Sequence, residues 1–220
     1  MKRAVILLSG GLDSTTTLFY AKEKGYKISA LVFDYGQRHK KEIIRAKRIA
    51  RFARCDCTVL KISFPWKGSA LLDKKIPVPV RRKIDEKMIP VTYVPARNII
   101  FLSYAASFAE TIGARTIFIG ANARDYSGYP DCRPEFFRAF QEVLKKGSKS
   151  GVSGKAIRIV TPLVRMTKAQ IISLGLKLKV PYHLTWSCYQ GGKVPCGICD
   201  SCRLREKGFK EIGCRDPFDA

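Results

Sequence analysis

The sequence predicts an α/β protein with a doubly wound parallel sheet and a small, cysteine-rich C-terminal lobe. Short apolar runs alternate along the chain with segments whose apolar residues recur at helical spacing, a pattern typical of parallel sheets. From about residue 185 the sequence becomes rich in cysteine, glycine and charge. We therefore expect an α/β domain over residues 1–184 and a lobe packed on it over residues 185–220.

Strands and helices are expected in alternation from the N-terminus. Residues 3–8 are mostly apolar, as expected for a strand that is covered on both faces. Residues 12–24 are predicted to form the first helix, because Gly25 is a suitable C-terminal cap. The remaining strands are predicted at residues 28–33, 58–62, 116–121 and 157–160. The remaining helices are predicted at residues 39–53, 98–112, 134–144 and 168–174.

Two segments are predicted to be connections. Residues 64–94 contain several prolines and little periodicity, and connections of this length are often functional. Residues 145–155 are rich in glycine, serine and lysine and are predicted to form a loop. Ligands of doubly wound sheets bind beyond the carboxyl ends of the strands, so functional residues are expected at that edge.

The composition limits the class of protein. A hydrophobic content of 46% favours a folded core over disorder. No apolar run approaches the ~20 residues that span a membrane, and the first run is too short for a signal peptide. We therefore expect a cytoplasmic protein. In that reducing compartment the eight cysteines indicate metal ligands or reactive thiols rather than disulfides.

The formal charge of +23 has two interpretations. Lysine and arginine number 41 against 18 acidic residues, which is typical of proteins that contact nucleic acid. The same field would also attract small anionic substrates. The charge alone leaves both open.

The first predicted strand leads directly into a candidate phosphate-binding loop. Two glycines allow a sharp turn and close approach of a ligand, and the following helix directs its positive end at the same place. Asp13 fits phosphate only if a cation bridges them, which favours Mg²⁺. The lysine of the common G-x-x-x-x-G-K-[ST] phosphate loop is missing. The candidate nucleotide-binding residues of this segment are Leu8, Ser9, Gly10, Gly11, Leu12, Asp13, Ser14, Thr15 and Thr16.

This loop resembles the PP-loop of the N-type ATP pyrophosphatases. The resemblance rests on the run from Ser9 to Ser14, Ser-Gly-Gly-Leu-Asp-Ser. It implies an adenine nucleotide alpha hydrolase-like fold and cleavage of ATP between its α and β phosphates, with adenylation of a carbonyl oxygen. The loop alone does not choose among the members of this superfamily.

Four cysteines in the C-terminal lobe form the pattern C-x₇-C-x₂-C-x₂-C. Four thiolates with glycine and proline in the turns suit a structural zinc site. An iron–sulfur cluster is the open alternative, because close cysteine runs also hold such clusters. The predicted ligands are Cys188, Cys196, Cys199 and Cys202.

Further polar residues are expected at the same edge of the sheet. Phe33 ends the second strand and is placed in the adenine pocket. Arg97 opens a helix and Lys168 another, and both are assigned catalytic roles beside Asp13 and Ser14, because they would hold the charge of ATP or a carboxylate. The segment after the fourth strand suits a flat heterocycle with edge donors. Substrate-binding roles are assigned to Tyr93, Asn98, Asp125, Gly128, Tyr129, Asp131 and Arg133.

Together these segments resemble the 7-cyano-7-deazaguanine synthase family over nearly the whole chain. The most specific parts are residues 127–133 and the tail from Trp186 to Cys202. The resemblance implies conversion of 7-carboxy-7-deazaguanine and ammonia to a nitrile, through an adenylated carboxylate and an adenylated amide. It also implies two ATP per turnover and a homodimer with one zinc ion per subunit.

Two other functions remain open at this point. One is a PP-loop enzyme that thiolates tRNA or forms lysidine on it, which the charge favours. The other is a non-catalytic, zinc-stabilised RNA-binding module, which leaves the phosphate loop unexplained. No membrane partner is expected.

Overall fold

The computed structural model describes residues 2–81, 88–124 and 128–218. Its strands form one sheet in the order β3-β2-β1-β4-β5, and each neighbouring pair is parallel. The strands are β1 (Lys2–Leu7), β2 (Tyr26–Asp34), β3 (Asp56–Lys61), β4 (Thr116–Ile119) and β5 (Arg158–Val160). The predicted doubly wound parallel sheet is therefore confirmed, and each strand ends within a few residues of its predicted position.

Helices connect and cover these strands. They are α1 (Leu12–Glu23), α2 (Lys41–Phe52), α3 (Arg97–Thr111), α4 (Pro134–Gly147), α5 (Lys149–Val152), α6 (Lys168–Lys177) and α7 (Asp200–Glu211). Two short 3₁₀ turns lie at Pro130–Cys132 and Tyr182–Leu184. The five predicted helices correspond to α1 to α4 and α6.

The loop predicted at residues 145–155 is wrong in part. Helix α4 continues to Gly147, and the short helix α5 follows it. The Ser148 hydroxyl accepts a hydrogen bond from the Gly151 backbone N–H and so caps α5. Helix α7 is not among the helices predicted from the sequence.

The sheet is covered on both faces, and alternate residues of β1 belong to different layers. Val5 and Leu7 pack in the hydrophobic cluster that contains α3 and α4. Ala4 and Ile6 pack in the cluster that contains α1 and α2. Continuous apolar strands are required for such burial on both faces.

The strand order reverses between β1 and β4. The chain runs from β1 outward to β2 and β3, and then returns to place β4 on the other side of β1. The connections after β1 and β4 therefore diverge, and a crevice opens at the carboxyl ends of these strands. This geometry places the phosphate loop, which follows β1, at the centre of the crevice.

The long connection after β3 packs against the cysteine-rich segment. Ala70 and Val78 share a buried cluster with Trp186 and Cys188. An isolated antiparallel bridge joins Val80 to Cys199. The described part of this connection therefore helps to bury the cysteines.

Helix α7 joins the C-terminal segment to the rest of the protein. Phe209 packs with Leu12, Ile171 and Tyr182 in one buried cluster. The division of the chain at residue 184 stays a prediction. Within the described ranges no helix combines the length and apolar character that crossing a membrane requires.

Candidate active site

A cleft of about 240 Å³ opens at the carboxyl ends of the central strands. The phosphate loop forms its floor, and residues from α2, α3, α6 and α7 form its walls. Trp186, Ser187 and Tyr189 of the cysteine-rich segment also line it. The phosphate loop and the C-terminal segment therefore contribute to a single site.

Hydroxyl groups organise the phosphate loop. The Ser9 backbone N–H donates to Ser14 Oγ at 3.2 Å, and the two hydroxyls lie 3.0 Å apart. The Gly11 backbone N–H donates to Ser9 Oγ at 3.3 Å. Among the described side chains, none caps the first turn of α1. The positive end of this helix is thus directed at the loop, which suits an anionic ligand.

Gly10 holds the loop against α2. Its φ is +77°, and a Cβ atom at this position would lie 2.5 Å from the Glu42 backbone oxygen. Gly25 has nearly the same φ, +76°, but no atom lies within 4 Å of the corresponding Cβ position. The two glycines therefore share their backbone conformation and differ in their surroundings.

We expect Gly10→Ala to destabilise the protein more than Gly25→Ala. Both changes carry the left-handed strain of about 1–2 kcal/mol, and only Gly10→Ala adds a steric clash, worth about 1–3 kcal/mol. Urea unfolding of both variants measures the difference. Only the Gly10 variant is expected to weaken the binding of an anionic ligand by the loop. Equal losses of stability would contradict the packing argument.

Asp13 and Lys168, which both line the cleft, form an ion pair. The Lys168 ammonium donates to both carboxylate oxygens of Asp13, at 2.7 and 2.8 Å. Lys168 is only 9% exposed. A Cβ atom on Gly208 of α7 would lie 2.6 Å from Lys168 Cγ, so this glycine leaves room for the lysine stem. The pair joins α1 to α6 beside the phosphate loop, and α7 packs on the lysine stem.

Arg97 supplies a second cation to the cleft. It begins α3, directly after Ala96, whose φ is +55°. Burial alone would lower the pKa of the guanidinium, but the nearby Tyr35 and Asp131 raise it. Arg97 is therefore a permanent positive charge that faces the site.

Eleven of the predicted site residues line the cleft. They are Leu8, Ser9, Gly11, Leu12, Asp13, Ser14, Phe33, Arg97, Asn98, Tyr129 and Lys168. They come from five separate segments of the chain, which are residues 8–14, Phe33, residues 97–98, Tyr129 and Lys168. The topology of the sheet brings these residues together.

Seven other predicted residues do not line the cleft described here. They are Gly10, Thr15, Thr16, Tyr93, Gly128, Asp131 and Arg133. Gly10 faces α2, and the Thr16 hydroxyl pairs with the Tyr182 hydroxyl in the core. Arg133 is exposed at the start of α4. Asp125 lies outside the described residues.

Asp131 has a visible structural contact. Its carboxylate accepts a hydrogen bond from the Asn98 backbone N–H at 2.9 Å, and its carbonyl oxygen accepts one from the Asn98 side chain at 3.0 Å. Asp131 thus satisfies a free N–H group at the start of α3. The pKa of the neighbouring Cys132 is raised to about 12, mainly by burial of the thiol and, to a smaller extent, by the nearby charge of Asp131. A thiol in this state is a poor nucleophile, which agrees with a packing role for Cys132.

The sequence interpretation missed several residues that line the cleft. They are Glu42, Phe101, Gly120, Asn122, Ser201 and Arg205. Gly120 had a recognisable signal, since it is a glycine inside the predicted fourth strand (residues 116–121), which ends at Ile119 in the structure. It packs on the Ser14 backbone, which lies 2.8 Å from its Cβ position. The others lie inside helices or loops, where neither spacing nor composition indicates the site.

The four predicted metal ligands converge. Their sulfur atoms all lie within 4.8 Å of one another, and three of the four residues are buried. Sulfur atoms around a tetrahedral zinc ion lie about 3.8 Å apart, so a small contraction would enclose an ion. The Cys196 backbone N–H donates to Cys188 Sγ at 3.3 Å, and the Cys199 N–H donates to Cys196 Sγ at 3.4 Å. Such donors stabilise thiolates, so the donor set fits a metal ion.

The cysteine cluster is joined directly to the cleft wall. The Cys188 carbonyl oxygen accepts hydrogen bonds from Trp186 Nε1 at 2.8 Å and from His39 Nε2 at 2.9 Å. His39 and Trp186 both line the cleft. Lys41 lies over the Trp186 ring, 4.3 Å from its centroid. A change in the backbone at Cys188 would therefore move this wall.

Arg205 ties the same wall to the C-terminal segment. Its guanidinium forms two hydrogen bonds with the Asp216 carboxylate, at 2.5 and 2.8 Å. It also donates to Thr185 Oγ1 at 2.6 Å and to the Tyr182 carbonyl oxygen at 3.1 Å. Paired and buried in this way, Arg205 holds α7 against the residues that precede the cysteines.

Solved structures share this fold. NMN synthetase from Francisella tularensis matches with a TM-score of 0.51 and 16% identity, over 96% of this chain and 77% of that chain. A 4-thiouridine synthetase, solved with RNA and bound ATP, matches with a TM-score of 0.54 and 19% identity, over 96% of this chain and 50% of that chain. At these identities the likeness shows the fold alone.

Sequence relatives are far more similar. A 7-cyano-7-deazaguanine synthase from Acetivibrio thermocellus is 54% identical over 100% of this chain and 98% of its own length. A 7-cyano-7-deazaguanine synthase from Thermoplasma volcanium is 54% identical over 99% of this chain and 90% of its own length. The family model of queuosine biosynthesis protein QueC matches residues 3–213. The chain therefore belongs to the QueC family.

Proposed function

We propose that this protein is an ATP-dependent ligase that converts 7-carboxy-7-deazaguanine and ammonia to 7-cyano-7-deazaguanine. The observation that carries the proposal is the Asp13–Lys168 pair at an intact phosphate loop. This site lies in a chain that is 54% identical, over its full length, to relatives named 7-cyano-7-deazaguanine synthase. The reaction that we infer consumes two ATP and releases AMP and pyrophosphate.

The first step that we propose is adenylation of the substrate carboxylate. The carboxylate oxygen attacks the α phosphorus of ATP, and pyrophosphate leaves. The phosphate loop and the end of α1 would hold the pyrophosphate, while Lys168 and Arg97 balance the charge that develops on oxygen. Ammonia then displaces AMP to give the amide. A second adenylation, on the amide oxygen, makes loss of that oxygen possible and yields the nitrile.

The chemistry demands mainly positioning. An acyl adenylate already carries a good leaving group, so no enzyme nucleophile is needed, which agrees with the raised pKa of Cys132. We assign substrate contacts to Asn98 and Tyr129, which line the cleft together with the phosphate loop. Thr92 fixes the Tyr129 phenol at 2.6 Å. The roles of Tyr93, Asp125, Gly128, Asp131 and Arg133 stay predictions.

We propose zinc in the cysteine cluster and Mg²⁺ with ATP. Four thiolates leave no open coordination position, so the zinc would be structural. Asp13 is the carboxylate closest in sequence to the glycines of the phosphate loop, and it would exchange part of its contact with Lys168 for the cation. We further propose free ammonia as the nitrogen donor, a cytoplasmic location and a homodimer.

Product analysis by mass spectrometry tests the function. Purified protein is incubated with ATP, Mg²⁺, an ammonium salt and 7-carboxy-7-deazaguanine, and we expect AMP, pyrophosphate, the amide and then the nitrile. Omission of ammonium is expected to leave the nitrile undetectable. A folded, metal-loaded protein that forms neither amide nor nitrile would disprove the proposal. The direct modification of tRNA would be favoured instead by two results together: tight, salt-sensitive binding of tRNA, and ATP turnover that occurs only when tRNA is present.

A further inference from the structure

Glu42 is a cleft carboxylate with no role in the reaction steps proposed above. It lies in the first turn of α2 and lines the cleft with Asp13. Asp13 is neutralised by Lys168 at 2.7 Å. Within the described parts of the chain, the Glu42 carboxylate forms no hydrogen bond or ion pair. Among the described residues that line the cleft, the two acidic side chains, Asp13 and Glu42, therefore differ in their availability.

The surroundings of Glu42 are fixed by three elements. Its backbone carbonyl packs on Gly10 of the phosphate loop. Arg97 of α3 and Tyr35, which follows β2, interact electrostatically with its side chain. Burial raises the pKa of Glu42 to about 7, although Arg97 opposes the shift. The other titratable and cationic groups of the cleft are Asp13, Arg38, His39, Cys132, Tyr129, Lys168, Tyr189 and Arg205.

We propose that Glu42 binds the ammonium ion and accepts its proton during amide formation. The inference rests on the proposed function, because the reaction requires ammonia beside an acyl adenylate. A cleft that contains Arg97 and Lys168 repels ammonium, and an unpaired carboxylate overcomes this repulsion locally. A carboxylate that titrates near neutral pH is suited to general base catalysis.

The step balances in atoms and charge. The Glu42 carboxylate takes one proton from ammonium and becomes a carboxylic acid. The lone pair of the resulting ammonia forms the C–N bond to the acyl carbon. The bond from that carbon to the AMP oxygen breaks, and its electron pair leaves with AMP. After attack, the nitrogen bound to the acyl carbon carries three protons, and one of them passes to water to leave the neutral amide. Glu42 then releases to water the proton that it took from ammonium.

His39 is less suited to this role, although it also lines the cleft. Its Nε2 is engaged with the Cys188 carbonyl oxygen at 2.9 Å. Its Nδ1 is buried and has no hydrogen-bond partner among the residues that the structure describes. With Nε2 as the donor and Nδ1 enclosed, neither nitrogen is placed to receive a proton from a ligand.

The test compares two nucleophiles in the Glu42→Gln variant. Ammonium must lose a proton before it attacks, whereas hydroxylamine is largely unprotonated at neutral pH. We expect the variant to lose ~100-fold or more in amide formation from ammonium at pH 7. Formation of the hydroxamate from hydroxylamine, measured by AMP release, is expected to stay within about threefold of the unmodified protein. The loss with ammonium is expected to shrink as the pH rises and free ammonia accumulates.

Asp34→Asn is the matched control, because it removes one negative charge, as Glu42→Gln does. Asp34 is the last residue of β2. Asp34 pairs with the exposed Lys40 at 3.3 Å and does not line the cleft. The control is expected to retain both activities. Thermal melting at pH 8 confirms that the Glu42 variant is folded.

Each result has a distinct meaning. An ammonium-dependent rate that Glu42→Gln leaves unchanged would overturn the inference. Equal losses with both nucleophiles would also overturn it, because Glu42 would then act in a step that both nucleophiles share, such as adenylation, and not in the removal of a proton from ammonium. An unmodified protein that forms neither amide nor hydroxamate would disprove the proposed function itself.

Discussion

Asp13→Asn is expected to lower ATP cleavage by at least ~10²-fold while the protein stays folded. Asparagine keeps the size of the side chain and one acceptor for the Lys168 ammonium, but it removes the charge that the lysine faces at 2.7 Å. Lys168, which is nearly buried, would then lose the carboxylate that it contacts at the phosphate loop. Removal of a single preorganised electrostatic contact commonly costs ~10²–10³-fold in rate. Release of AMP in the complete reaction measures the loss.

Stability measurements separate the catalytic role of Asp13 from its structural role. We expect the variant to lose about 1–3 kcal/mol, because a buried charged group loses its partner. Adding Lys168→Met is expected to recover much of this stability and none of the activity. Glu142→Gln is the control, since it breaks an ion pair of the same 2.7 Å length on the exposed surface of α4. Activity of Asp13→Asn within threefold of the unmodified protein would exclude a role in the reaction.

Cys199→Ser is expected to release the bound metal and to lower both stability and ATP binding. Serine replaces a thiolate ligand with a hydroxyl, which zinc binds poorly in a four-sulfur site. Because metal binding is coupled to folding, we expect a loss of several kcal/mol, or a fall in the melting temperature of roughly 6–12 °C. The weaker ATP binding follows from the contacts of the Cys188 carbonyl with His39 and Trp186 in the cleft wall.

Elemental analysis and absorbance spectra of the same samples identify the metal. We expect one zinc ion per chain in the unmodified protein and no visible absorbance. If the protein is brown and contains iron, the cysteines hold an iron–sulfur cluster and not zinc. Cys57→Ser is the matched control, because Cys57 is exposed on β3 and outside the cluster. The control is expected to keep its metal, its melting temperature and its affinity for ATP.

The anionic ligands of the cleft explain only part of the formal charge of +23. ATP, pyrophosphate and a carboxylate substrate are anions, and a positive field would draw them toward the cleft. Arg97 and Lys168 show how this charge is used locally. Other cations, such as Lys47, Arg48 and Arg51 of α2, are exposed and do not line the cleft. Three small anions do not require them.

The sequence was sufficient where a local rule applies. Within the described residues, apolar runs and helical periodicity predicted the five strands and five of the seven α-helices. Burial on both faces of a sheet demands such a continuous apolar pattern. The glycines after β1 and the cysteine spacing predicted the phosphate loop and the metal ligands, because each of those sites is built from one short segment.

Only the tertiary structure decided which distant residues share the cleft. The spacing of the chain does not reveal that Lys168 meets Asp13, that Glu42 faces Arg97, or that the Cys188 carbonyl holds the cleft wall. The structure also places Asp131 against α3, although its residue type had favoured substrate binding. The physical reason is that pairing and burial fix the function of a charged group, and both depend on the three-dimensional crossing of β1, β2, β4 and the helices between them.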